Sequence, residues 1–356
     1  MKNKIKVVIA GCGLIAPKKH IPAYIRLKDK VEIIAVCDLN EDAAKKVVQT
    51  FNIKKYYTNF TEMLSCEKPD VVDICTPPQT HARLAVEALQ NGCHVILEKP
   101  MALSLTDCDS IVATANKYNK KVGVIHNQIF NPALAKANRL LQDGGMGDFL
   151  GIQIFLSTPT SYMTSIKDHW AHKLPGGVLG ETGPHSAYIA SGFLENIHEV
   201  SVYSKKLLPE YPWSVADDFR INLIADNGIG SIVQIYGSNQ WAANVDIFCT
   251  RGILKVDLQN KSLIKHKRTR LNALSLGMGV LDTASQTITN LTSTGLSYCL
   301  GRKVDAHSIG ISDFVNCIIE NKPFPVSGED GRETVRVMEM LVAKLNESLR
   351  SELLLK

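Results

Sequence analysis

The chain lacks any apolar run approaching the ~18 residues needed to cross a membrane, and its first residues, MKNKIKVV, enter a strand without the apolar core of a secretory leader. A cytoplasmic protein with no membrane partner is expected. Its nine cysteines are an odd number, and none falls in CxxC or CxxH spacing, so neither a disulfide framework nor a zinc or other metal site is expected. They read as small buried hydrophobes in a reducing compartment. Charge of one sign is also scarce: the formal balance of +5 is too weak to imply nucleic acid, though it suits an anionic cofactor or substrate. No internal repeat or low-complexity linker interrupts the sequence. What remains, at 45% hydrophobic and 21% charged residues, has the composition of an ordinary folded protein, and 356 residues against a soft prior of ~150 per domain predict two domains.

The opening IKVVIAGCGLIAPKKH carries the most information. Ile5, Val7, Val8 and Ile9 form a short apolar strand that runs into Gly11, Gly13 and Ala16, the GxGxxA form of a dinucleotide-binding turn. Gly11 permits the tight turn, Gly13 lets backbone approach a pyrophosphate, and Ala16 allows close helix packing, with Leu14 and Ile15 completing the turn. The following helix start offers N–H groups to phosphate. A second strand, Val31 to Cys37, ends in Asp38, placed to accept ribose hydroxyls. That carboxylate would repel a 2′-phosphate, and no Arg or Lys stands beside it, so NAD is expected over NADP. The competing reading is that Asp38 only caps the helix that follows.

Strand and helix signals alternate to Ile125: strands at Ile5 to Ala10, Val31 to Cys37, Tyr56 to Tyr57, Val71 to Cys75, Cys93 to Leu97 and Val122 to Ile125, with helices between, the first of these near Ile21 to Leu27. Such alternation predicts a doubly wound parallel sheet of Rossmann type, α/β in class, over residues 1–125. Beyond His126 strands predominate: Phe149 to Leu156, Val200 to Ser204, Phe219 to Ala225, Ser231 to Tyr236, Val245 to Cys249 and Ile253 to Leu258. They predict an α+β domain, residues 126–356, with a large, mostly antiparallel open sheet. An open sheet of that size invites self-association, so a homodimer or homotetramer through it is expected. The closing helices, Ile311 to Glu320 and Gly331 to Leu349, are free to pack back on the first domain. The basic cluster Lys265, Lys267, Arg268 and Arg270 opens the least legible stretch, read as a solvated hairpin turn followed by a helix on its own domain or a partner subunit. A membrane-surface or substrate-capping helix is the alternative.

Glu98-Lys99-Pro100 follows an apolar strand and so lies at a carboxyl end of the parallel sheet, where open α/β folds bind ligands. A lysine there can hydrogen-bond a substrate hydroxyl and stabilise the alkoxide that forms as hydride leaves carbon. In GGVLGETGPHSAYIA, Glu181 and His185 lie four apart at an apparent helix start and share one face. A histidine with a pKa near ~6.5 is suited to exchange the hydroxyl proton, and a nearby carboxylate to orient its ring. Trp170, just before the glycine pair, offers an aromatic face for a sugar ring.

GCGLIA, VVDICTPPQTHARLAVEALQNGCHVILEKPMALS, the GG…ETGPH segment and PFPVSGEDGRETVRVMEML together resemble the Gfo/Idh/MocA oxidoreductase family across nearly the whole chain. The resemblance implies NAD(P) and reversible oxidation of a sugar, nucleotide-sugar or cyclitol hydroxyl. It makes Lys99 the lysine of the EKP motif and His185 the acid/base of the family's Asp-x-x-x-His motif, with Glu181 in place of the Asp. It sets Thr76, Pro77 and His81 along the nicotinamide, with Glu98 and Lys99 completing the cofactor-binding set. Where relatives carry an arginine before Phe-x-Pro, this chain has Ile129, so His126 and Asn127 are expected to contact substrate instead. Lys99 and His185 are expected to serve the same substrate oxygen. Two rival functions stand beside the dehydrogenase: a same-fold enzyme that retains NAD and cleaves or eliminates at a glycosidic bond through transient oxidation, and a catalytically silent cofactor-binding sensor.

Overall fold

The structure, a computed structural model, describes residues 4–267, 270–299 and 305–354; Arg268 of the basic cluster lies outside them. The chain divides into two compact units, Met1–Asn127 with Val304–Arg336, and Gln128–Lys303 with Val337–Lys356. Among the described residues no helix is long and apolar enough to cross a membrane.

In the first unit, strands β1 (Ile5–Ala10), β2 (Val31–Cys37), β3 (Tyr56–Tyr57), β4 (Val71–Ile74), β5 (His94–Glu98) and β6 (Val122–Ile125) form one sheet in the order β3-β2-β1-β4-β5-β6. Every neighbouring pair is parallel. The residues of β4 and β6 are buried throughout, as helices covering both faces of a parallel sheet require; all are apolar or glycine except Asp73 on β4. Strand order reverses between β1 and β4, and in such folds ligands bind outside the carboxyl ends at that reversal. The late helix Ala306–Ile319 belongs to this unit. It is tied to the first helical segment by Lys19 to Asp305 (3.1 Å) and Arg26 to Ser308 (2.7 Å).

The expected helix near Ile21 to Leu27 begins earlier than the sequence pattern suggested. A π-helical turn, Ala16–His20, leads directly into the α-helix Ile21–Arg26, with the Ile21 N–H donating to the Ala16 carbonyl. Pro17 in the first turn is compatible with this start, because its missing N–H lies where a helix leaves N–H groups unpaired.

In the second unit, strands β7 (Phe149–Ser157), β8 (Glu199–Lys205), β9 (Asp218–Ala225), β10 (Gly228–Ile235), β11 (Ala242–Cys249), β12 (Gly252–Asp257) and β13 (Ser262–His266) form a sheet ordered β13-β12-β11-β7-β10-β9-β8. All its pairs are antiparallel except β7 with β10. Alternate residues of β9 and β10 are buried. Ile152, Ile154, Phe219, Ile221, Ile232, Val245 and Ile247 from the sheet share one core with Val178, Leu179, Tyr188 and Ile189 from the helix Val178–Ser191.

Strand β13 occupies part of the stretch read as a hairpin turn; its Lys265 and the following Lys267 masked the alternation. The helix Ala273–Cys299 follows and closes this edge with side-chain amides. Gln286 Oε1 accepts the Lys265 N–H (2.8 Å), Gln286 Nε2 donates to the Lys265 carbonyl (3.0 Å), and Asn290 Nδ2 donates to the Leu263 carbonyl (2.9 Å).

Candidate active site

The first unit carries a cleft of about 530 Å³ at the carboxyl ends of β1, β2 and β4, lined by Gly11, Gly13, Asp38, Leu39, Thr58, Thr76, Pro77, Thr80 and Arg83 among others. The glycines are used differently. Gly11 has φ +98°, and a Cβ there would lie 2.7 Å from the Cys75 carbonyl and 2.8 Å from the Thr76 nitrogen, so the backbone just after β4 crosses directly over it. At Gly13 a Cβ would meet nothing within 4 Å. The protein's own packing therefore does not demand that glycine, and its openness leaves room for a phosphate beside the helix start. Ala16 is fully buried, as close packing of helix on strand requires, whereas Leu14 is exposed and Ile15 half-buried.

Asp38 accepts the Cys12 N–H through Oδ2 (2.7 Å) and the Asn40 N–H through Oδ1 (2.8 Å). The cap of the helix Glu41–Phe51 is Asn40, whose side chain accepts from Asp42 and Ala43. The capping reading of Asp38 is thereby overturned: its carboxylate braces the glycine turn and lies in the cleft, and each oxygen retains lone-pair capacity for a ribose hydroxyl. Leu39 is 92% exposed beside it, an apolar cleft residue that sequence reasoning missed along with Thr58 and Arg83. These residues fit a dinucleotide: a diol-binding acid, an open phosphate approach and an apolar lip.

Thr76 and Pro77 line this cleft, but His81 is buried beneath it. Its Nδ1 lies 2.9 Å from the Pro100 carbonyl and its Nε2 2.8 Å from the Thr76 carbonyl. Burial pulls its pKa down. The ring thus ties the loop after β4 to the loop after β5.

Lys99 is half-buried at the end of β5. Its backbone N–H donates to Glu98 Oε2 (3.2 Å), while Glu98 Oε1 accepts from His20 Nε2 (2.8 Å). Glu98, expected as a cofactor ligand, is 9% exposed and turned toward these internal partners. Burial alone would raise its pKa, but the hydrogen bond and charge of His20 hold it at about 2. His126 is 1% exposed, and burial pushes it down to about 3 against the pull of Glu98. Asn127 opens a short 3-10 turn, half-buried.

The second unit has its own cleft of about 270 Å³, lined by Gln128, Ser157, Thr158, Tyr162, Glu181, Thr182, His185, Trp241 and Gln259 with apolar neighbours. Gly176 and Gly177, at φ +79° and +61°, turn the chain into the helix Val178–Ser191. Glu181 is in its first turn and buried, and His185 lies one turn on. His185 Nδ1 meets the Tyr188 hydroxyl at 2.8 Å, and the same hydroxyl accepts the Gln128 N–H at 3.0 Å. The ring is thus oriented through Nδ1 by a phenol, a partner that the sequence reading did not name.

Beneath the helix, Thr182 meets the Tyr236 hydroxyl (2.5 Å), which donates to Gln234 Oε1 (2.7 Å), while Gln234 donates to Ser186. Buried hydrogen-bonded chains of this kind fix a helix in register. The aromatic residues of the cleft are Tyr162 and Trp241, edge to face with centroids 5.0 Å apart. Trp170 instead stacks on His169 at 5.7 Å and is not among the lining residues. Ile129 packs against the apolar core.

Comparison with known proteins places these features. Residues 5–126 match the profile of the oxidoreductase family with an NAD-binding Rossmann fold, and residues 134–255 that of the GFO/IDH/MocA C-terminal domain. D-apiose dehydrogenase of Paraburkholderia graminis is 34% identical over 145 residues, 41% of this chain and 38% of that protein. D-glucoside 3-dehydrogenase of Escherichia coli is 29% identical over 146 residues, 41% of each. The chain thus spans about two fifths of the length of these two relatives. Among solved structures, the WlbA dehydrogenase of Bordetella pertussis in complex with NADH and UDP-GlcNAcA superposes with a TM-score of 0.78 at 18% identity, covering 97% of this chain and 96% of that one. With both family domains matched in order, the chain belongs to the Gfo/Idh/MocA family of oxidoreductases.

Proposed function

We propose that this protein is an NAD-dependent dehydrogenase acting on a secondary hydroxyl of a sugar, nucleotide-sugar or cyclitol. The observation that carries the proposal is the cleft around His185: an imidazole anchored through Nδ1, beside Glu181, Thr182 and Gln259, under an exposed aromatic pair. Hydroxyl-rich rings are recognised by this combination of polar groups and a flat apolar face. A bound nicotinamide would supply the hydride acceptor or donor for the carbon bearing the hydroxyl. His185 takes the hydroxyl proton on Nε2 during oxidation and gives it back during reduction. Lys99, in the first unit, is the group assigned to hydrogen-bond a substrate oxygen and stabilise its developing negative charge. Tyr162 and Trp241 hold the ring face, a role the sequence reading gave to Trp170. Asp38 accepts the ribose hydroxyls, which selects NAD over NADP.

Self-association fits the second sheet, whose face bearing Gln153, Asn244, Asp246 and Lys255 forms a shallow polar hollow; light scattering of the purified protein tests it, and a monomer refutes it. The function is tested by an absorbance screen at the nicotinamide band with free sugars, cyclitols and nucleotide sugars, using both NAD and NADP. Lys99→Ala and His185→Ala should each lower turnover about 100-fold or more with NADH binding retained. Undiminished turnover in either variant refutes the assigned role, and tightly retained cofactor without net turnover favours the transient-oxidation rival.

A further inference from the structure

His20 lies at the end of the π-helical turn, fully buried, with both ring nitrogens facing carboxylates: Nδ1 is 2.8 Å from Asp73 Oδ2 and Nε2 is 2.8 Å from Glu98 Oε1. A neutral imidazole has one bare nitrogen lone pair, which would here point at an anion at hydrogen-bond distance. Two N–H donors remove that conflict, so the geometry requires the imidazolium. The surroundings agree. Asp73 is 0% exposed and lies on β4, and Glu98 is on β5. Cys75, after β4, is a buried thiol beside the cluster, and burial pushes its pKa up. Tyr24, one helical turn from His20, is buried with its hydroxyl near Asp73. From the helix Ala306–Ile319, His307 approaches Glu98 to 3.6 Å and stands 5.9 Å from the His20 ring. Burial lowers His307 to about 4. Lys19 and Asp305 pair with each other at the rim, and His126 and Lys99 complete the titratable neighbours of Glu98. Burial works against protonation of His20, yet Asp73 beside it raises its pKa well above the ordinary value.

We propose that His20 is a positioning residue for Lys99: as a buried imidazolium between Asp73 and Glu98, it fixes the Glu98 carboxylate, whose second oxygen holds the Lys99 backbone N–H. This rests on the reading of Lys99 as a substrate-binding group. It adds a residue 79 positions away in sequence that touches neither substrate nor cofactor in that reading. Without the cation, two carboxylates share a dry pocket, and one must take up a proton or turn away. Glu98 then has no fixed direction in which to hold the loop.

The test separates position from stability. Reactivity of the Lys99 amine toward acetic anhydride, read by peptide mass spectrometry on the full chain, needs no substrate. His20→Gln should change the Lys99 acetylation rate by about 3-fold or more while lowering the melting temperature, because a buried charge loses its partner. Adding Asp73→Asn removes one stranded carboxylate; the double variant should recover much of the melting temperature but keep the altered Lys99 reactivity. Nitrogen NMR of histidine-labelled protein, with His20→Gln for assignment, should show both His20 nitrogens protonated from pH 6 to 8. The proposal is overturned by unchanged Lys99 reactivity in His20→Gln, by reactivity that recovers together with the melting temperature, or by a neutral His20 ring. Zinc or another divalent metal found bound to the purified protein and lost in His20→Gln would also overturn it, since the donor atoms of His20, Glu98 and His307 lie within 4.8 Å of one another. If no substrate is turned over in the screen above, the dehydrogenase reading fails while these measurements still decide the role of His20.

Discussion

Replacing each glycine of the nucleotide turn by alanine should separate folding from cofactor binding. At Gly11 the new methyl enters at φ +98° and lies 2.7 Å from backbone atoms of Cys75, which follows β4 directly and is held by its N–H to the Ala10 carbonyl (2.7 Å). The left-handed conformation costs about 1–2 kcal/mol, and overpacking adds about 1–3 kcal/mol. For a unit of this size each kcal/mol lowers the melting temperature by roughly 2–4 °C, so Gly11→Ala should melt well below the parent even without NADH. At Gly13 nothing lies within 4 Å of the added carbon and φ is outside the strained range. Gly13→Ala should therefore keep its stability within about 0.5 kcal/mol, while the methyl occupies the space left for pyrophosphate and weakens NADH by about 10-fold or more, or 1.4 kcal/mol per tenfold. Thermal melts of the cofactor-free variants and fluorescence titration with NADH measure both quantities. Wild-type NADH affinity in Gly13→Ala would refute the cleft assignment, because that reasoning makes openness at this one position the reason for the glycine.

Asp38→Ala should weaken NAD more than NADP in equilibrium titrations, and equal losses would remove the basis for choosing NAD. Tyr188→Phe deletes the hydroxyl that meets His185 Nδ1 and the Gln128 N–H; turnover should fall about 10-fold at nearly constant KM, the loss of an orienting hydrogen bond, and a pure KM effect would contradict it. Trp241→Ala should raise the KM of a sugar substrate about 10-fold, on the scale of a lost aromatic face, with kcat little changed; an unchanged KM argues that the ring sits elsewhere. Stability should fall on both sides of neutrality. His126 and His307, lowered by burial to about 3 and about 4, bind protons only when unfolded, so their contribution is complete above pH ~6.5 and is lost as pH falls. Glu98, held at about 2, adds a loss below pH ~4.5. His20, with its raised pKa, contributes fully below pH ~6.5 and loses that stability as pH rises through its folded value. Melting curves from pH 5 to 9 should show this maximum, with a shallower acid limb in His126→Asn; an unchanged acid limb would refute the assignment.

The parallel sheet was legible because strands buried on both faces are rich in Val and Ile, as β4 and β6 are apart from Asp73 and Gly123. The seven-stranded sheet was legible for six of its strands by alternation, whereas β13 carries lysine on an edge where charge is tolerated. The turn at Ala16–His20 escaped because Pro17 and two lysines break the apolar period and a π-helical turn has no simple repeat. At the site, Lys99 and His185 stood out through local motifs. Tyr188, three residues beyond His185, looked like one more core aromatic, and Trp241 sits in a segment without a recognisable pattern. The partners of His20 lie 53 and 78 residues away in sequence, so no spacing rule connects them. The sequence reading offered only Asp38 as a cap, whereas the backbone gives that place to Asn40.

The amides of Gln286 and Asn290 have a consequence for how this molecule behaves in crowded solution. An edge strand normally advertises a ladder of unused peptide groups to any extended chain that drifts past. Here one glutamine side chain engages both the N–H and the carbonyl of Lys265, and Asn290 engages Leu263, so the border of the sheet is occupied as a further strand would occupy it. Removing those two amides should turn a quiet border into a template for fibrous growth.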